Sequence, residues 1–139
     1  MAGNLTFTMI KPEAVANGHT GKIIAKIIEN GYNIKALKMH QFSVYQASKF
    51  YEVHKGKPFY DGLVEYMSSG PLVAIALEKE NAVVDFRKLI GSTNPEEAAV
   101  GTIRKEFAES KTKNAVHGSD SDENAVIEIG FHFSSLEIF

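Results

Sequence analysis

The chain has 139 residues, 44% of them apolar, and its 15 basic and 17 acidic side chains give a net charge of -2. That length suits one domain, 1–139, burying on the order of two-thirds of its unfolded surface, while the near balance of charge excludes a broad basic face for nucleic acid and leaves small polyanions as charged partners. The lack of cysteine excludes disulfides and thiolate chemistry, and with neither a secretory signal nor the about 20 apolar residues of a bilayer span the expectation is a soluble, cytoplasmic protein with no membrane partner.

Residues 5–10 read as a buried strand, which Lys11-Pro12 ends because proline cannot continue a central ladder. Lys11 therefore falls at a strand's carboxyl end. From Thr20, taken as an N-cap, Ile23, Ile24, Ile27 and Ile28 recur at helical spacing until Gly31 stops the helix. Residues 32–39 predict a second strand, and residues 45–54 and 60–67 predict two short helices parted by Pro58. A third strand follows at 71–77, a helix closed by Gly91 at 82–90, and a long loop carrying Asn94-Pro95 at 92–101. A short helix covers 102–107, and a brief apolar run at Ala115-Val116 precedes a helix over 121–131 and an irregular tail. Helices alternating with about four strands define an α/β sandwich with one sheet. Strand order and direction are not readable from periodicity.

The segment Asn114-Ala115-Val116-His117-Gly118-Ser119-Asp120 places one imidazole between a short apolar run and a turn that opens a helix. Such a histidine is a candidate nucleophile: a strand end holds the ring, Gly118 lets the backbone turn without a Cβ, and amides of the turn face an anion. Alone, it reads as readily as a turn histidine without chemistry. Three other patterns fail. Gly18-His19-Thr20-Gly21-Lys22 lacks the first glycine and the hydroxyl of a phosphate loop, Ile23 standing in place of the latter. Tyr51 and Lys55 have the spacing of some nicotinamide-dependent reductases, but no glycine-rich fingerprint follows the first strand. His19, His40, His54, His117 and His132 show no metal-ligand spacing.

What remains suits polyphosphate. Lys11 after a strand, Arg87 in a helix, Thr93 in the long loop and Arg104 beyond Gly101-Thr102-Ile103 are each ordinary surface residues when taken singly. Their setting in turn-rich sequence is where a rigid scaffold presents functional groups. Two arginines supply planar forks for phosphate oxygens and one lysine a compact charge. Phe59, beside Pro58, offers a face for a base, with a core phenylalanine as the alternative.

Six blocks together, Thr8-Met9-Ile10-Lys11-Pro12-Glu13, Phe50-Tyr51, Lys57-Pro58-Phe59, Thr93-Asn94-Pro95, Gly101-Thr102-Ile103-Arg104 and Asn114-x-x-His117-Gly118-Ser119-Asp120, resemble the nucleoside diphosphate kinase family across essentially the whole chain. The resemblance implies a ferredoxin-like α/β sandwich, βαββαβ, with a four-stranded antiparallel sheet. It also implies ping-pong transfer of the γ-phosphoryl group of a nucleoside triphosphate to a nucleoside diphosphate through a phosphohistidine on His117. Glu128 matches the family's orienting carboxylate, its bland alternative being a helix-surface acid, and Ser119 would support it. Lys11 and Tyr51 would contact the transferred group, and Arg87, Thr93, Arg104 and His54 the remaining phosphates. Tyr51 and His54, three apart, would share one helix face. Asn114 and Lys11 would bind the sugar, and Phe59 and Leu63 would flank the base. Mg²⁺ would arrive on the nucleotide's phosphates, with no resident metal site and Asp120 reaching it through water. A homo-oligomer, hexamer or tetramer, is implied as well. Val100 stands where the family commonly has proline, and Lys111 where a small apolar residue completes the base sandwich. The rival reading is a catalytically silent nucleotide-binding or regulatory protein, which the presence of His117, Lys11, Arg87, Arg104 and Asn114 together disfavours.

Overall fold

A computed structural model describes residues 3–139. Strands β1 (Leu5–Ile10), β2 (Asn33–His40), β3 (Leu72–Glu78) and β4 (Val116–Gly118) form one antiparallel sheet in the order β2-β3-β1-β4. The helices are α1 (Pro12–Ala16), α2 (Thr20–Glu29), α3 (Val44–Phe50), α4 (Tyr60–Met67), α5 (Ala82–Ile90), α6 (Ile103–Phe107) and α7 (Asp122–His132). This is the ferredoxin-like arrangement, and β1 is central in it, pairing Met9 with Ala74 of β3 on one side and with His117 of β4 on the other.

Alternation along β1 and β3 sends side chains to two cores, because successive residues of a strand point to opposite faces. Phe7, Met9, Leu72, Ala74 and Ala76 meet Ala47, Leu63, Met67 and Ile129 from α3, α4 and α7. On the other face, Ile10, Val73, Ile75 and Leu77 meet Ile23, Ile27, Phe86, Ile90 and Ile103 from α2, α5 and α6. β3, buried on both faces, carries near-continuous apolar sequence, whereas β1 alternates its apolar residues with the buried threonines Thr6 and Thr8.

Several boundaries differ from the sequence expectation. Thr20 is the first residue of α2, and His19 occupies the cap position without a side-chain hydrogen bond. In that helix Ile23 and Ile27 are buried, whereas Ile28 is half exposed, so the apolar stripe is narrower than the four isoleucines suggest. Pro12, which ends the strand as expected, also starts α1, a helix absent from the sequence expectation, as its fixed φ allows at a first position. The helix expected at 45–54 breaks at Tyr51 into α3 and a 3₁₀ turn, Glu52–His54. The start of α3 is fixed by a reciprocal cap between Ser43 and Gln46. A 3₁₀ turn, Ser135–Glu137, gives the tail structure, and the Phe139 amide donates to the Lys35 carbonyl at 2.7 Å.

Candidate active site

His117 lies inside β4 opposite Met9, so its side chain shares the face of Phe7 and Met9. Its Nε2 is 2.9 Å from Oε1 of Glu128, which α7 carries across that face. Ser119 Oγ donates to the same carboxylate oxygen at 2.6 Å. Ser119 is itself tied to β1, its amide donating to the Phe7 carbonyl at 3.2 Å and its Oγ accepting from the Phe7 amide at 3.3 Å. Thr8 Oγ1 donates to the His117 carbonyl at 2.6 Å. One edge of the ring is therefore fixed through the sheet, and phenylalanine rings cover its flanks, Phe50 at 5.5 Å and Phe7 at 6.0 Å between centroids.

Two readings of this segment are corrected. Gly118 makes no turn: it sits in the strand, and a Cβ there would meet Ile90 Cδ1 at 2.8 Å and Phe86 Cδ2 at 3.4 Å. The glycine admits α5 close to β4. The Ser119 amide does not face an anion, because the Phe7 carbonyl takes it.

Lys11 continues the alternation of Phe7 and Met9 in extended backbone and is buried. Its Nζ donates to Asn114 Oδ1 at 2.7 Å, and the Asn114 amide nitrogen donates to the Lys111 carbonyl at 2.9 Å. Burial, reinforced by the Arg104 charge and opposed by Glu13, pushes the Lys11 ammonium down to about 7. Thr102 caps α6 by accepting from the Lys105 amide, which sets Arg104 in the first turn. Arg104 is buried, and its guanidinium donates to the carbonyls of Gly91 at 3.1 Å and Val116 at 2.9 Å. Part of its fork is thus committed to backbone, while its Nε is buried without a partner. Burial and the neighbouring Arg87 charge lower Arg104 to about 10, leaving it cationic at neutral pH. Arg87 is exposed on α5, and Thr93 is exposed in the loop beyond.

The opposite wall comes from the broken helix. Tyr51 is buried with its Oη unpartnered, and burial together with the Glu128 charge raises its phenol above the ordinary range. Its ring stands 6.3 Å from that of His117. His54 lies in the 3₁₀ turn rather than on the Tyr51 helix face, yet the two rings stack at 6.4 Å. Burial, then the adjacent Lys57 charge, pushes His54 below its ordinary value. Phe59 is half exposed and 5.2 Å from the His54 ring. Leu63, one turn on, packs into the core, so Phe59 presents the larger free face.

Among the described residues no group of three or more histidines, aspartates or glutamates is arranged to hold a metal ion. Asp120 is exposed, and its Oδ1 accepts from Asn124 Nδ2 at 2.6 Å. Sequence reasoning missed Glu13, whose Oε1 accepts from the Ala115 amide at 3.0 Å, and the positive φ of Ala115, 73°. An alanine gives no sign of such a backbone.

The site thus joins a histidine held at Nε2 by a carboxylate to two buried cations, Lys11 and Arg104, which bond to Asn114 and to the Val116 carbonyl just before it in the chain. The family model for nucleoside diphosphate kinase matches residues 4–138. The chain belongs to the nucleoside diphosphate kinase family. It is 60% identical over 139 residues, all of both chains, to the nucleoside diphosphate kinase of Flavobacterium psychrophilum. With that of Campylobacter fetus it shares 58% over 133 residues, 96% of this chain and 97% of the other. The Aquifex aeolicus nucleoside diphosphate kinase structure superposes with a TM-score of 0.97 at 48% identity, covering 99% of this chain and 100% of that one. A halophilic nucleoside diphosphate kinase from Halobacterium salinarum, solved in complex with CDP, gives 0.94 at 33% identity, covering 99% and 91%.

Proposed function

We propose that the chain transfers the γ-phosphoryl group of a nucleoside triphosphate, typically ATP, to a nucleoside diphosphate through a phosphohistidine on His117. The 2.9 Å contact between His117 Nε2 and Glu128 carries this reading. A carboxylate at Nε2 favours the tautomer with its proton there and leaves the Nδ1 lone pair free to attack. The Nδ1–P bond forms as the bond from the γ-phosphorus to the bridging oxygen breaks, and the diphosphate leaves. Glu128 then balances the positive charge gained by the ring, with Ser119 holding the carboxylate. In the second half, a terminal oxygen of an incoming diphosphate attacks the same phosphorus, and the imidazole returns neutral.

Lys11 and the Tyr51 hydroxyl are the groups offered to the transferred oxygens. Arg104, Arg87, Thr93 and His54 serve the remaining phosphates, since a loose phosphoryl transition state is stabilised by positioning and charge. Asn114, with Lys11, takes the sugar hydroxyl, and Phe59 with the edge of Leu63 takes the base. The residues present fit Mg²⁺ brought on the phosphates better than a resident ion, and exposed Asp120 would hold it through water. Bound there, the ion neutralises phosphate charge. Half-exposed Leu37 and Met39 on β2, an edge strand, support self-association as a hexamer or tetramer. The cysteine-free sequence, and the lack among the described residues of any helix long and apolar enough to cross a membrane, suit a cytoplasmic setting.

Incubation with γ-labelled ATP, removal of free nucleotide and an acid-lability assay, with His117→Asn alongside, test this route. Acid-labile label on the parent, absent from the variant and discharged onto GDP, is expected. No label on folded parent would overturn the route in favour of a silent nucleotide-binding protein.

A further inference from the structure

Ala115 is a fully buried, non-glycine residue with a φ of 73°. The Val116 amide donates to the Asn114 carbonyl at 2.9 Å, closing a three-residue turn around it. A γ-turn of this hand is strained for an L residue and survives only where its surroundings over-determine it. The surroundings are a clamp built by the start of α1. The Lys11 amide donates to the Ala115 carbonyl at 2.8 Å, the Ala115 amide donates to Glu13 Oε1 at 3.0 Å, and Lys11 Nζ reaches Asn114. Pro12, with its restricted φ, separates the two jaws, so Lys11 and Glu13 grip one turn from a stiff base.

Glu13 is placed for this by more than its helix. Tyr66 Oη donates to the same Oε1 at 3.3 Å, and Oε2 is buried without a partner. Burial raises the Glu13 carboxyl above its ordinary range. A half-satisfied buried carboxyl is costly, and the bond it makes goes to the amide of a strained residue two positions before His117.

We infer that Glu13 is a positioning residue, pinning the Ala115 turn so that Asn114 stays on Lys11 and His117 enters β4 in the register that faces Glu128. This rests on the phosphotransfer reading above. Without the pin the turn relaxes toward negative φ, and a misplacement of about 1 Å at reacting groups can cost on the order of a hundredfold in rate.

The test is single-turnover phosphorylation by γ-labelled ATP in the parent, Glu13→Ala, Glu13→Gln and the double variant Glu13→Ala/Ala115→Gly. Glu13→Ala should lower the rate of label uptake about 10- to 100-fold, with full stoichiometry of label. Glu13→Gln retains an acceptor at Oε1 and should stay near the parent. Glycine at 115 adopts positive φ without a Cβ penalty, so the double variant should recover much of the lost rate. The inference is overturned if Glu13→Ala labels at the parental rate, if its only change is a lower final stoichiometry, or if Glu13→Gln is as slow as Glu13→Ala. A parent that takes no label overturns the phosphotransfer reading and this inference together, whereas a labelled parent with an unaffected Glu13→Ala overturns this one alone.

Discussion

His132 on α7 is an acid-sensitive weak point. It is 6% exposed, its ring stacks on Phe7 at 4.7 Å, and Phe42 and Phe50 lie at 5.2 and 5.3 Å. Its Nδ1 reaches only the Glu128 carbonyl, and its Nε2 is buried without a partner. Burial lowers it to about 3, with the Glu128 carbonyl opposing and His40, His117 and Lys38 adding to the drop. An unfolded histidine titrates near ~6.5. The folded value is thus depressed, and between these two values the unfolded chain binds the extra proton, so stability falls as pH drops through the window. At ~1.36 kcal/mol per pKa unit this amounts to about 2 kcal/mol by pH 5 and about 4 kcal/mol by pH 3. Those losses are large beside the 5–15 kcal/mol, roughly, of a typical domain. His132→Phe removes the proton site, keeps an aromatic in the cluster and eliminates the orphaned nitrogen. Urea denaturation followed by far-UV circular dichroism, suitable for a chain without tryptophan, should give a variant-minus-parent gap that widens by about 2 kcal/mol from pH 7 to pH 5. Carboxylates titrate in both proteins and cancel in the difference. A gap constant across that range would refute the reasoning.

Three further outcomes follow from the same geometry. Glu128→Ala should slow phosphohistidine formation by about 10- to 100-fold while nucleotide affinity, measured by calorimetry, holds; Ser119→Ala should act in the same direction but less, and intact rates in both would refute their roles. Lys11→Met should abolish transfer yet stabilise the fold near pH 6 by on the order of 1–4 kcal/mol, because it removes a buried cation beside Arg104. In thermal melts that gain should shrink as pH rises from about 7 toward the ordinary lysine value of 10.5, and a variant no more stable than the parent would count against it. Gly91→Ala forces a Cβ at a φ of 86° to within 2.6 Å of Thr102 Oγ1, the cap of α6. A loss on the order of 1–3 kcal/mol in denaturant titration is expected, and an unchanged midpoint would contradict it.

The parts of this fold that were legible in the sequence are those whose cause is local. The buried strand Leu72–Glu78 carries an unbroken apolar run through residue 77, and Pro58 separates two helices. The approach of Glu128 to His117 is tertiary: it depends on α7 crossing β1, and periodicity cannot distinguish that glutamate from a surface acid, so only the family resemblance pointed to it. Gly118 misled because glycine serves both turning and close packing, and the choice depends on Phe86 and Ile90 from a distant helix. Ala115 carries the one strained backbone of the site on a residue with no propensity for it. The break at Tyr51 was hidden for a similar reason, since its spacing to His54 is equally good for an α-helix and a 3₁₀ turn.

Three of the six buried, unpartnered side-chain polar atoms among the described residues lie around this site. Tyr51 Oη, Arg104 Nε and Glu13 Oε2 are all buried without partners, and the Lys11 ammonium is held well below its ordinary value. Each such group costs stability in the free protein. Tyr51 Oη, the Lys11 ammonium and the free N–H groups of Arg104 are donors, and in the proposed phosphotransfer a polyphosphate would supply the acceptors and negative charge they lack. Donors already desolvated and fixed by backbone, as Arg104 is by the Gly91 and Val116 carbonyls, need little reorganisation when charge develops on the transferring group. The strain at Ala115 belongs to the same arrangement: the fold spends part of its stability to hold charge and nucleophile in place before the substrate arrives.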